Sequence, residues 1–343
     1  TGNLYAAKVV DCDDDEDKCN EMVNREISIM MYTKHPTIIK FIGYSKFDFQ
    51  EENNVTIIME LAKNGSLREV LRQIQQSDGP KNYTNTTRQI ILVGVARGMK
   101  YLHDRNIIHR DIKPENILLD ENLQPHITDF GLSKFFEVGH SKSQTKFGGT
   151  LAYEAPEILK KQKYDLKVDV YSFSILMFEV LTDSVPYPEL SSGEMSELDF
   201  MKKVVKQGYR PKFSVPVKDS LRELIEECWS ENPSDRPTFD EIFNKLANKR
   251  GGEEEENFLL EDVDTEELKL YVEDVTEITD NTEKLLSQIS SLEEDNRQLK
   301  SENAKLKKEN KKQSDTNKTL EEEIRQLKSE NKKLSDTIKD IKE

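Results

Sequence analysis

A chain of 343 residues has room for two structural units, yet with 35% hydrophobic and 34% charged residues part of it is too polar to pack as a globule. The net charge of −16 is uneven: −5 over residues 1–250, −13 over 251–283 and +2 over 284–343. An acidic chain without a concentrated basic stripe argues against nonspecific binding to nucleic acid or anionic lipid. Cys12, Cys19 and Cys228 are too few and too scattered for a disulfide framework or a four-ligand zinc site, and they fit a reducing, cytoplasmic setting. No apolar run reaches the ~20 residues of a membrane span; Val168–Leu181 contains Asp169 and Glu179 and reads as a buried helix.

In chain order, the β-branched and aliphatic run Leu4–Val10 predicts a strand, Asp11–Asp17 an acidic loop, and Cys19–Tyr32 a helix. Ile38–Tyr44 and Val55–Leu61 predict a strand pair joined by a polar turn at Glu51–Asn54. From Ser66 the period is mostly helical, broken at His109–Asn116 and at the Gly- and Ser-rich Gly131–Thr150. A small β-rich part thus precedes a larger helical part, an α+β arrangement.

After Arg250 the composition shifts through Gly251–Gly252 to Glu253–Glu256, so residues 249–283 are expected to be a solvated acidic linker. From Ile289 on, steps of three and four define eight uninterrupted heptads, expected to form a coiled coil over 284–343. Position a holds Ile289, Asn296, Asn303, Asn310, Asn317, Ile324, Asn331 and Ile338; position d holds leucine except at Gln313 and Ile341. Arg297–Asn303 recurs unchanged at Arg325–Asn331, four heptads later. Asn at a is best tolerated opposite Asn of a partner, which predicts a parallel, in-register homodimer through residues 285–343 at a cost in stability.

The sharpest local signal is His109-Arg110-Asp111-Ile112-Lys113-Pro114-Glu115-Asn116, then Asp129-Phe130-Gly131 and Ala155-Pro156-Glu157. This ordered set resembles the catalytic core of eukaryotic protein kinases over residues 1–248. The resemblance implies a bilobal fold and phosphoryl transfer from ATP with Mg2+, in which the protein positions groups and neutralises charge. It assigns Asp111 to the acceptor hydroxyl and its proton, Lys113 to the γ-phosphate, and Asn116 and Asp129 to the metal. Ala6-Ala7-Lys8 matches the strand whose lysine meets the α- and β-phosphates. Glu26, favoured over Glu21 by its spacing from His35-Pro36, is its helix partner. Met59, Glu60 and Leu61 resemble the gatekeeper and hinge at adenine, with Ala6 and Leu118 covering its two faces. Arg236 is expected to pair with Glu157, and Asp169 to brace the catalytic loop.

Only seven residues precede Lys8 and none forms a glycine-rich loop, so the expectation is an N-terminally truncated kinase domain whose small lobe lacks its first strands. Lys113 and Gly149-Thr150 resemble serine/threonine kinases, whereas Cys228-Trp229 and Arg236-Pro237-Thr238-Phe239 resemble the ending shared by tyrosine kinases and the tyrosine-kinase-like group. A tyrosine-kinase-like serine/threonine kinase reconciles the two. Tyr171, Ser174 and Glu154 depart mildly from the pattern. A pseudokinase or coiled-coil scaffold is the alternative; it would be served by loss of Lys8, Asp111 or Asp129, and all three are present. Ser141, Ser143 and Thr145 are candidate phosphosites that would pair with Arg110 and order their loop; Thr150 is assigned by resemblance to contact the catalytic loop.

Overall fold

Alternating side chains along Tyr5–Val10 make strand β1, whose Ala6, Lys8 and Val10 turn inward while Tyr5, Ala7 and Val9 turn out. The computed structural model describes residues 2, 4–10, 16–50, 54–135, 150–248 and 257–342. Helix α1 (Glu16–Tyr32) follows, then β2 (Phe41–Ser45) and β3 (Val55–Glu60). These strands form an antiparallel sheet in the order β1-β3-β2, with Lys8 paired to Ile57 and Ala6 to Met59. The strand expected from Ile38 starts only at Phe41. The backbone of Thr37 and Ile39 is drawn to the larger lobe instead: Ile127 N–H donates to Thr37 O at 2.8 Å and Ile39 N–H to Ile127 O at 3.0 Å.

The larger lobe is helical. Ser66 and Glu69 form a capping box that starts α2 (Leu67–Gln75), and the Thr84 hydroxyl caps α3 (Asn85–His103). Then come the short strands β4 (Ile107–Ile108), β5 (Ile117–Leu119), β6 (Pro125–Ile127) and β7 (Lys134–Phe135). β5 pairs with β6 and β4 with β7. Helices α4 (Pro156–Leu159), α5 (Lys167–Thr182), α6 (Pro188–Ser191), α7 (Glu197–Gln207), α8 (Asp219–Cys228) and α9 (Phe239–Leu246) complete it. Helix α5, the run expected to be a buried helix, is enclosed along almost its whole length. No helix among the described residues is long and apolar enough to cross a membrane. Gly98 lets α3 approach Thr37 of the small lobe and Ile127 of its own lobe, since a Cβ there would lie 2.4 Å from Thr37 Oγ1 and 2.7 Å from Ile127 Cδ1.

The chain divides into two compact units, Thr1–Thr279 and Asp280–Glu343. Helix α10 (Thr265–Lys342) begins within the first and supplies the described part of the second. From residue 257 on this corrects the expectation of a solvated linker over 249–283 and moves the start of helix well before residue 284; residues 249–256 lie outside the described residues. Phe258, Leu259, Leu268, Tyr271, Val272 and Val275 are buried in the core of the first unit. The acidic residues that gave the stretch its charge share it with an apolar set at helical spacing.

Candidate active site

The segment after β4 is held from beneath by one carboxylate. Asp169, fully buried on α5, accepts from His109 N–H at 2.9 Å and Arg110 N–H at 2.7 Å, and lies 2.9 Å from His103 Nε2 on α3. Those bonds fix Arg110 at φ 70°, in the left-handed region that a non-glycine residue adopts only when its surroundings enforce it. Burial lowers the affinity of the His109 ring for a proton; its Nε2 lies 3.1 Å from Thr128 O, and its ring packs on Phe130 with centroids 5.2 Å apart.

Asp111 is nearly buried at the end of this segment. Its Oδ2 lies 2.7 Å from Lys113 Nζ, and Asn116 Nδ2 donates to both Asp111 Oδ2 and Asp111 O at 2.7 Å. Lys113 Nζ also reaches Thr150 Oγ1 at 3.1 Å, tying the loop to the segment before Ala155-Pro156-Glu157. The β5–β6 hairpin then brings Asp129 back beside Asn116, with Thr128 N–H donating to Asn116 O at 3.0 Å.

Lys8, Glu26 and Asp129, from β1, α1 and the segment after β6, meet at one point. Lys8 Nζ lies 2.8 Å from Glu26 Oε1 and 3.0 Å from Asp129 Oδ1. Burial by itself would lower the Lys8 ammonium, but the two carboxylates outweigh it and the group is raised above its ordinary value. Burial likewise pushes Asp129 up, and Lys8 overrides it so that the carboxyl is held below the usual range. Asp129 has φ 64° and accepts from Gly131 N–H at 3.4 Å. Glu21 lies away from this cluster, exposed and paired with Arg25 one turn on.

Asn116 spends its amide protons on Asp111, which leaves its side-chain oxygen as an acceptor, on a residue whose backbone carbonyl holds Thr128, the neighbour of Asp129. Two hard oxygens suit magnesium, which keeps several waters and takes few protein ligands. The residues assigned to adenine come from both lobes. Met59 is buried in β3 opposite Ala6 and Phe41, and Leu118 sits in β5, bridged to Ser66. Glu60 exchanges hydrogen bonds with Lys40, its backbone N–H donating to Lys40 O at 3.0 Å and its carboxylate accepting from Lys40 N–H at 2.7 Å. Leu61 is partly exposed.

Arg236 and Glu157 form a fully enclosed two-pronged pair at 2.7 and 2.8 Å. Sequence reasoning missed the group around Arg68, which meets Glu115 at 2.8 Å, Glu179 at 2.6 Å and the Tyr153 hydroxyl at 2.6 Å. Its members come from four separated segments, so no local pattern marks it. In the sequence Tyr171 reads only as a departure from the family pattern. It is buried with the guanidiniums of Arg210 and Arg236 at 5.1 and 5.3 Å from its ring centre, a role that an aromatic residue fills and that no spacing announces. Ser141, Ser143 and Thr145 lie outside the described residues.

A family model described as the protein kinase domain matches residues 1–246, and the chain belongs to that family. Among curated relatives it is 33% identical over 235 residues to serine/threonine-protein kinase STY17 of Arabidopsis thaliana, covering 67% of this chain and 38% of the relative. It is 35% identical over 227 residues to serine/threonine-protein kinase 12 of the same organism, covering 64% and 46%. Dual specificity protein kinase shkB of Dictyostelium discoideum is 34% identical over 229 residues, covering 66% and 33%. The chain thus matches less than half the length of each of these relatives.

Proposed function

We propose that this chain carries a protein serine/threonine kinase domain of the tyrosine-kinase-like group, which transfers the γ-phosphoryl group of ATP to a protein hydroxyl in a cytoplasmic signalling setting. The observation that carries this reading is the cluster around Asp111: a carboxylate fixed by Lys113 and Asn116, with Lys8, Glu26 and Asp129 assembled beside it. In the reaction a bond forms between the acceptor oxygen and the γ-phosphorus while the bond to the ADP oxygen breaks, and the hydroxyl proton passes to Asp111. Lys113, beside Asp111, balances charge on the phosphoryl group in flight. Lys8, oriented by Glu26, meets the other phosphates. Magnesium, held by Asn116 and Asp129, would neutralise phosphate charge. Met59, Glu60, Leu61, Ala6 and Leu118 form the adenine wall.

The link from Lys113 to Thr150 supports a serine/threonine acceptor, because it joins the catalytic loop to the segment that faces the substrate in this reading. Residues 285–343 would pair two copies as a parallel homodimer and bring two catalytic domains together for phosphorylation in trans. Incubation of an active form of the chain with ATP and a generic protein acceptor, followed by phosphoamino-acid analysis, tests the assignment. Phosphoserine and phosphothreonine are expected. Phosphotyrosine in equal amount would overturn the acceptor class, and no transfer dependent on Asp111 would overturn the kinase reading.

A further inference from the structure

The segment 257–276 lies after the residues that the family model matches, and six of its apolar side chains are buried with the kinase core. Six hydrogen bonds tie its backbone to side chains of α3 and to residues at the start of α8. Asn85 Nδ2 donates to Glu261 O, and Gln89 Nε2 to Phe258 O; in return Gln89 Oε1 accepts from Leu260 N–H and Thr86 Oγ1 from Asp264 N–H. Lys218 Nζ reaches Leu259 O and Ser220 Oγ reaches Asn257 O. Asp264 then caps the first turn of α10, accepting from Glu266 and Glu267 N–H at 3.1 and 3.0 Å. Leu268, Tyr271, Val272 and Val275, spaced to share one helix face, are buried, whereas Leu270 on the same turns is 62% exposed.

α3 is shaped for this occupant. A Cβ on Gly94 would stand 2.2 Å from the Tyr271 hydroxyl and 2.5 Å from Pro125, so the glycine leaves the space that the Tyr271 hydroxyl fills. Lys245 lies over the Phe258 ring, 5.3 Å from its centre, and closes the other end. The Tyr271 hydroxyl makes no hydrogen bond among the described residues and is pushed far from ionising by burial. The site is therefore apolar at its floor and polar along its rim, in the manner of a groove that takes an amphipathic helix.

We infer that α3, the start of α8 and the end of α9 form an intramolecular docking groove whose ligand is residues 257–276 of the same chain, and that this strap ties the C-terminal extension to the catalytic unit. The recognised chemistry is a Phe-Leu pair in extended backbone followed by a capped helix with Leu, Tyr, Val and Val on one face. Clamping falls on the first half of α3, whose last residue, His103, meets Asp169 beneath the catalytic loop. Strap occupancy is thereby connected to the site through one rigid helix.

Hydrogen exchange on the full chain tests this. Leu268→Asp with Tyr271→Asp should speed exchange of the Asn85–Gly94 amides and of 257–276 by about tenfold or more, and lower Tm by roughly 5 °C or more. Leu270→Asp should change neither. Tyr271→Phe, which removes a buried hydroxyl without a partner, should slow exchange in both regions. If the double variant behaves like Leu270→Asp, the groove is not a docking site. If the double variant does not fold, the wild-type sequence carrying a protease site between residues 250 and 256 decides: after cleavage the two pieces should elute together, and their separation would overturn the inference.

Discussion

In Thr1–Thr279 a few carboxylates are buried and each of these three is met by a donor: Glu157 by Arg236, Glu179 by Arg68, and Asp169 by two backbone amides. In Asp280–Glu343 the arrangement is inverted. Charged residues fill the surface positions, while Leu292, Leu299, Leu306, Leu320, Ile324 and Leu327, all at a or d of the heptads, remain 49–66% exposed. The first unit pairs its buried charges within one chain, and its stability answers to whatever removes one member of a buried pair. The second leaves an apolar stripe exposed, and under the proposed pairing its stability would answer to concentration.

The largest expected effect breaks the first unit's use of charge without disturbing its packing. Lys8→Met, Asp111→Asn and Asp129→Asn should each lower the transfer rate of an active form by ~10²–10³ or more, since each removes a group preorganised for the transition state. Near-normal turnover in Asp111→Asn would remove that residue from the chemistry. A smaller but still large effect is expected in folding. Arg236→Met leaves Glu157 buried and unpaired, and should cost ~3–5 kcal/mol in urea unfolding, whereas adding Glu157→Leu should recover much of it. A double variant no better than the single would mean that solvent reaches the pair.

Acid sharpens the comparison next. Burial, helped by Arg97 and Arg105, lowers His35 from 6.5 to about 3, so the folded form holds it neutral while the unfolded chain protonates it. Unfolding therefore takes up a proton below pH 6.5, and stability should fall by ~1.4 kcal/mol per pH unit between about pH 6 and pH 3. His35→Asn should flatten that slope; an unchanged slope would place the loss elsewhere. The smallest effect concerns the second unit. Sedimentation of the full chain at tens of micromolar should show a concentration-dependent dimer, and Asn303→Ile with Asn310→Ile should tighten it about tenfold, equivalent to ~1.4 kcal/mol. A persistent monomer at those concentrations would refute pairing.

What the sequence made legible was carried by chemistry-bearing residues at fixed separations. His109–Asn116 and Asp129–Gly131 announced the loop and its neighbour, and Glu26 was separable from Glu21 by spacing alone. Asp264 and the set Leu268, Tyr271, Val272 and Val275 also have a readable helical period, but the net charge of −13 over 251–283 masks their apolar face. Arg68 and its partners were not legible at all, because the group exists only once α2, α5 and two loops have converged. The late start of β2 has a similar cause: Thr37–Ile39 have strand-forming side chains, and their backbone found a partner in Ile127 of the other lobe.

That pairing has a mechanical consequence. The small lobe is joined to the large one by the chain leaving β3 and, separately, by the backbone bonds between Thr37–Ile39 and Ile127. A body fastened at a single point swivels in three directions, whereas one fastened at two turns only about the line through them, like a door on a pair of pins. Lys8 and Glu26 ride on the leaf and Asp129 sits on the frame, so the contact at 3.0 Å between Lys8 and Asp129 is a latch whose engagement is set by one angle.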